Sequence, residues 1–204
     1  SRLYEKVLRE HSVPYQITGG TAFFERNEIK DLTAYLRIIA NPEDDRALLR
    51  IINTPRREIG TTTIRQLGEY AGWRHSPLSN VLHEAALEQK LSRKGWYSLQ
   101  RFRDWLDEKR RQAEQLDAMS LTRQLVKELD YEDWLLNTSN SQKQAAARME
   151  NVEELISWIG NLQKQQDEPS LDKLVSQLTL MSILENSDDK QSDSVQLSTF
   201  HAAK

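Results

Sequence analysis

The chain has 204 residues, with 28 Lys and Arg against 31 Asp and Glu, no cysteine and a mean hydropathy of -0.71. That is enough length for one sizeable core. The composition excludes disulfides and thiolate metal sites, and no apolar run approaches the roughly 20 residues needed to cross a bilayer. Ser1-Arg2-Leu3-Tyr4-Glu5 has no signal-peptide character, so the expectation is a cytoplasmic protein with no membrane partner.

Leu3, Val7 and Leu8 follow helical spacing up to His11-Ser12, and Val13-Pro14-Tyr15-Gln16-Ile17 reads as a short strand before a Gly19-Gly20 turn. Ile29, Leu32, Leu36 and Ile39 predict a helix over about 27–40. Asn41-Pro42-Glu43-Asp44-Asp45 reads as the next helix start, with Asn41 as cap and Pro42 as first helical residue. That helix carries Leu48, Leu49, Ile51 and Ile52, and must stop before Pro55, which disfavours helix at Thr54.

Next comes Thr54-Pro55-Arg56-Arg57-Glu58-Ile59-Gly60-Thr61-Thr62-Thr63, followed by a helix with Ile64, Leu67 and Tyr70. Two arginines, a glycine that admits close backbone approach and a fresh helix N-terminus are what a phosphate needs. A turn whose threonines merely cap the next helix explains the same residues, and from this segment alone both readings stand.

After a break at Gly72–Pro77, a shorter helix is predicted around Val81, Leu82, Ala85 and Leu87. Leu99, Phe102 and Leu106 begin a long helix to about Leu116, whose polar tail Glu108–Gln115 is expected to project into solvent. Leu121, Leu125 and Leu129 predict a helix capped by Ser120, and Tyr131–Leu135 a helical turn. A polar loop over 137–144 precedes an amphipathic helix over about 144–165, and Ser170 caps one more through Leu178. Glu185–Ser194 is acidic and apolar-poor, the composition of a mobile segment, and Val195–Phe200 alternates like a strand. The fold class is therefore all-α, a body of about nine helices with short β-like segments near both termini. The ends read as parts of a sheet that the helical body interrupts.

Charge is uneven. Residues 46–74 carry six arginines against two glutamates, and 90–111 carry eight basic against three acidic residues. Residues 150–193 hold ten acids and three lysines. A basic half suits a polyanion and an acidic half is a solvated remainder. His11, His75, His83 and His201 have no paired ligand spacing, and neither a Gly-x-x-x-x-Gly-Lys-Ser/Thr loop nor a Gly-x-Ser-x-Gly elbow occurs. No catalytic residue and no metal site is assigned, and the isolated chain is expected to be inactive. Of the five tryptophans, Trp73 and Trp96, with Tyr97, stand beside basic residues, whereas the others are at core spacing.

The string Gly19-Gly20-Thr21-Ala22-Phe23-Phe24-Glu25-Arg26 through Tyr35-Leu36-Arg37, then Asn41-Pro42, Asp44-Asp45, Leu49–Pro55 and Ile59-Gly60, resembles the UvrD/Rep family of superfamily 1 DNA helicases in order and spacing. Val195-Gln196-Leu197-Ser198-Thr199-Phe200-His201-Ala202-Ala203-Lys204 looks like that family's motif V, and Tyr131–Leu135 looks like its Rep branch. The resemblance implies an ATP-dependent 3′ to 5′ helicase of DNA replication and repair. ATP and Mg would bind between two motor domains outside this fragment, which itself takes no cofactor. It further implies that residues 23–190 are the helical 2B subdomain, with 1–22 and 191–204 as flanks of the second motor domain.

In that family 2B rotates, restrains unwinding and grips duplex DNA through a Gly-Ile-Gly turn, matched here by Glu58-Ile59-Gly60. The site residues so implied are Arg56, Arg57, Ile59, Gly60, Thr61, Thr62 and Arg65 for the duplex backbone, with Thr199 and His201 for single-stranded DNA. Glu58 is expected to pair with Arg56, Arg57 or a neighbour. Replication proteins are possible partners, and the rival reading is a helical protein-interaction module that docks one of them.

Overall fold

The computed structural model describes residues 3–4, 7–8, 11, 13, 15–18, 22–167, 169–186 and 195–198. Two strands, β1 (Tyr15–Thr18) and β2 (Val195–Ser198), pair in parallel with Tyr15 opposite Val195 and Ile17 opposite Leu197. Between them the described residues form nine bounded α-helices: α1 (Asn27–Ala40), α2 (Asp45–Ile51), α3 (Thr61–Arg74), α4 (Leu78–Val81), α5 (Arg93–Ala113), α6 (Ala118–Glu128), α7 (Tyr131–Thr138), α8 (Gln142–Lys164) and α9 (Leu171–Asn186). Short 3₁₀ turns occupy Phe23–Glu25 and Ala85–Lys90. The all-α expectation holds.

Helix α1 is the hub because it is apolar on most of its circumference. Ile29, Leu32, Tyr35, Leu36 and Ile38 are fully enclosed, with α2, α5, α8 and α9 packed around them. Helices α6, α7 and α8 form one side of the body through Leu121, Leu125, Tyr131, Leu135, Val152 and Leu155. The other side is α3, α4 and the second 3₁₀ turn, held by Leu67, Leu78, Val81 and Leu87.

Several boundaries differ from the sequence reading, each for a local reason. Asp44, not Asn41, caps α2. Its carboxylate accepts the Ala47 N–H at 2.9 Å and is braced by Arg37, while Asn41 turns its side chain onto the Glu43 N–H. Asp117, not Ser120, caps α6, accepting both the N–H and the hydroxyl of Ser120. Those bonds hold the Asp117 carboxyl below the usual carboxylate range. The helix expected around Val81–Leu87 is split between α4 and the 3₁₀ turn. The polar loop shrinks to 139–141, because Ser141 caps α8 through the Gln144 N–H. Ser170 caps α9 as expected.

The tail of α5 is not a solvent projection. Lys109 is only 1% exposed: its ammonium lies over the Trp105 ring at 5.8 Å and reaches Gln112 at 2.7 Å and the Glu128 carboxylate. Arg110 donates to the Ser79 hydroxyl at 2.9 Å. Long cationic side chains contribute apolar stems to a core when their heads find acceptors, a compensation that polarity patterning does not register. Helix α9 runs to Asn186, so the acidic stretch begins inside a helix. The rest of that stretch, the Gly19-Gly20 turn and the motif V residues from Thr199 onward lie outside the described residues.

Candidate nucleic-acid interface

Helix α2 ends at Ile51–Ile52 and the chain turns through 53–60 before α3 begins. Asn53 organises the turn, its side-chain oxygen accepting the Arg57 N–H at 2.7 Å and the Ile59 N–H at 3.4 Å. Ile59 is fully buried and anchors the turn from below. Glu58 adopts φ 58, a left-handed conformation that glycine takes at least cost. Its exposed carboxylate pairs with Lys94 of α5 at 3.1 Å rather than with Arg56 or Arg57.

Helix α3 opens with no cap. Gly60 is the N-cap residue without a side-chain hydrogen bond, there is no acid in the first turn, and the first helical bond runs from the Ile64 N–H to the Gly60 carbonyl at 3.1 Å. The threonines therefore do not cap the helix, and the N–H groups of Thr61, Thr62 and Thr63 head a 14-residue helix unsatisfied by side chains. Among the described residues, its chain neighbours aside, nothing lies within 4 Å of where a Gly60 Cβ would stand. Thr61 and Thr62 are exposed, whereas Thr63 is buried.

The two arginines have opposite fates. Arg56 is exposed and makes no ion pair among the described residues. Arg57 is consumed by the fold: one terminal nitrogen donates to the carbonyls of Ile51 (2.8 Å), Thr54 (3.1 Å) and Pro55 (3.2 Å), and the other donates to the Tyr35 hydroxyl. Its guanidinium also lies over the rings of Tyr35, Phe102 and Trp105 at 5.7, 5.2 and 5.4 Å. Burial pushes the Tyr35 hydroxyl up to about 12, against the opposing pull of Arg57, so it stays protonated and donates to the Thr54 carbonyl. Arg57 thus closes the C-terminus of α2, and its guanidinium is half-buried and already engaged within the fold. Arg65 is exposed and paired with Glu69 one turn on at 2.7 Å.

A second helix start stands beside the first. Ser92 caps α5 through the Gly95 N–H, and Gly95 is pressed against the first turn of α3: a Cβ there would sit 2.6 Å from the Thr63 hydroxyl oxygen. Arg93 and Lys94 are exposed at this junction. The sequence reading began this helix six residues late, at Leu99, and so missed them; the available signal was Ser92-Arg93-Lys94-Gly95, a cap followed by two cations. Replacing Gly95 by alanine forces the two helix starts apart. We expect a loss of about 1–3 kcal/mol in denaturant unfolding, the range for overpacking a tight contact. Of the aromatics beside basic residues, Trp73 (70% exposed) and Tyr97 (65%) stand in solvent, and Trp96 packs on the core.

An uncapped helix start with no acid in its first turn stands beside a second helix start, and Arg56, Arg65, Arg93 and Lys94 are exposed on these segments, features that anion binding uses. The chain belongs to the UvrD-like helicase C-terminal domain family, whose model matches residues 1–204. It is 46% identical over 208 residues to the ATP-dependent DNA helicase Rep of Salmonella typhimurium, and 45% identical to that of Escherichia coli. Both matches cover the whole chain and 31% of the relative. The ATP-dependent DNA helicase PcrA of Bacillus subtilis is 30% identical, with 28% of it covered. The chain thus spans about a third of the length of these relatives. No described helix is long and apolar enough to cross a membrane.

Proposed function

We propose that this chain is the 2B subdomain of a Rep-like, ATP-dependent 3′ to 5′ DNA helicase, and that it holds duplex DNA by its phosphate backbone without reading bases. Residues 23–190 form the subdomain, and 1–22 and 191–204 are flanks of the second motor domain. The parallel pairing of β1 with β2 supports this division, because two four-residue parallel strands need further covering layers to be stable. The described residues bring together no group of three His, Cys, Asp or Glu that could hold a metal ion. The chain has no phosphate-loop sequence either, so ATP and Mg are assigned to the remainder of the helicase. Thr199 and His201 keep the single-strand role that the family resemblance implies.

The observation that carries the reading is the open N-terminus of α3. Its N–H groups and the Thr61 and Thr62 hydroxyls would take one phosphate, with Arg56, Arg65, Arg93 and Lys94 facing its neighbours along the strand. Arg57 and Ile59 shape this surface from behind. Glu58 adds a carboxylate that Lys94 offsets.

Titration of a fluorescent duplex at low salt tests this. Proline is tolerated at the first helical position, so Thr61→Pro removes one N–H while sparing the helix. Combined with Thr62→Ala and Arg56→Ala it is expected to weaken binding about tenfold or more. The salt dependence should also flatten by about one unit for the lost cation. Unaltered affinity and salt slope in the triple variant would sink the assignment. A cationic cleft on another face favours a second, compatible reading, a helical module that also docks a replication protein.

A further inference from the structure

Helices α1, α2 and α9 border a cleft of about 460 Å³, a ligand-sized volume, with no residue of α3 or of the turn before it in the lining. Lys30 and Arg37 of α1 and Arg46 and Arg50 of α2 line it, and no carboxylate among the described residues does. The counter-ions of three of these cations lie outside the lining: Glu25 for Lys30, Asp44 for Arg37 at 2.6 Å and Asp31 for Arg50 at 2.8 Å. Asp44 and Asp31 are largely withdrawn from solvent. Burial pushes the Asp31 carboxyl up, while Arg50 and the Tyr131 hydroxyl oppose the shift. Arg46 is exposed and has no ion pair among the described residues, so all five of its N–H donors are open.

The remaining lining mixes the hydroxyl residues Thr33, Thr179 and Ser182 with an aliphatic part. Ala34, Ala47 and Ile183 supply it above the buried ring of Phe24, and Ile183 is 59% exposed. A phosphate backbone would satisfy the cations but leave Ile183 in water, and no exposed ring is present on which a base could stack. An acidic side chain beside an apolar one satisfies both halves of the cleft.

We propose that this cleft is a docking site for an acidic peptide segment of a separate protein, its carboxylates on Arg46, Arg37 and Lys30 and an apolar side chain against Ile183. This deepens the second reading above and does not depend on the duplex site.

Fluorescence anisotropy of the chain with a labelled peptide, a run of aspartates next to a Leu-Phe pair, tests it. The expected results are saturable binding at low salt and a loss of about tenfold or more when the aspartates become asparagines. Arg46→Glu and Ile183→Asp are each expected to produce a similar loss, with unchanged circular dichroism. Duplex affinity should stay within about twofold in Ile183→Asp, since that residue is outside the phosphate surface. Several outcomes would overturn the proposal: no binding at low salt, binding indifferent to Arg46→Glu, or displacement of the peptide by a single-stranded oligonucleotide. So would a large gain in peptide affinity when Asp188, Asp189 and Asp193 become asparagine, because the chain's own acidic stretch would then be the occupant.

Discussion

Arg57→Ala is expected to lower stability by about 3 kcal/mol, the sum of charge-assisted bonds to three carbonyls and one hydroxyl and a cation–π stack, discounted for partial exposure. For a chain of this size that is a fall of about 6–12 °C in the thermal midpoint. The reasoning starts from the carbonyls. Ile51, Thr54 and Pro55 present theirs where α2 has stopped, and all three point at one guanidinium. Deleting it leaves the carbonyls of Ile51 and Thr54 with one donor each, the Thr54 N–H and the Tyr35 hydroxyl, and that of Pro55 to water that must enter beside Tyr35, Phe102 and Trp105. Arg57→Lys should recover only part of the loss, because an ammonium cannot present the planar fork that reaches the carbonyls and the Tyr35 hydroxyl together. The opposite pattern, an unchanged midpoint with duplex binding abolished, would restore Arg57 to the direct phosphate role that its place in the turn suggests. Thermal unfolding and duplex titration on the same variant separate the two.

The second large effect lies between α1 and α8. Glu28 is 4% exposed, and its carboxylate accepts from Arg148 Nε at 3.0 Å and from the Asn151 amide at 2.6 Å. Arg148 is held in turn by the hydroxyls of Ser139 and Thr138, and Arg26 donates to the Asn151 oxygen at 2.9 Å. Arg148→Ala removes the cation from a carboxylate that cannot reach water. Breaking a buried pair in this one-sided way costs about 3–5 kcal/mol. Glu28→Gln in the same background should recover a substantial part, since a neutral amide no longer needs the counter-charge. Equal stability of the single and double variants in urea unfolding would show that the pair is solvated and of little weight. This network joins segments more than a hundred residues apart, and it ties the start of α1 to the α7–α8 corner.

Much of the helical body is legible along the chain. Helix α1 falls over 27–40 as its apolar spacing requires, α8 lies within two residues of its expected start, and both short strands are near their expected places. The misses share a cause. Asp44 and Asp117 were passed over for Asn41 and Ser120 because several capping residues stand together, and only backbone geometry selects among them. Lys109 looked like a solvent residue because its acceptor, Glu128, is on the next helix.

For the candidate site, residue type and order singled out the turn but could not sort its members. The sequence by itself determined that a helix restarts at Thr61, that its start is rich in cations, and that the chain resembles UvrD/Rep helicases. All of these follow from local periodicity, turn chemistry and motif order. Only the tertiary structure decided that Arg57 faces inward while Arg56 stays free, that Glu58 pairs with Lys94, and that the α5 start lies against that of α3. It alone also showed that the cations of α1 and α2 share a cleft with α9. The reason is physical: whether a guanidinium is available to a ligand depends on which carbonyls, rings and carboxylates other segments bring within about 3–6 Å of it. Such distances are set by how helices pack, and residue order along one helix does not contain them.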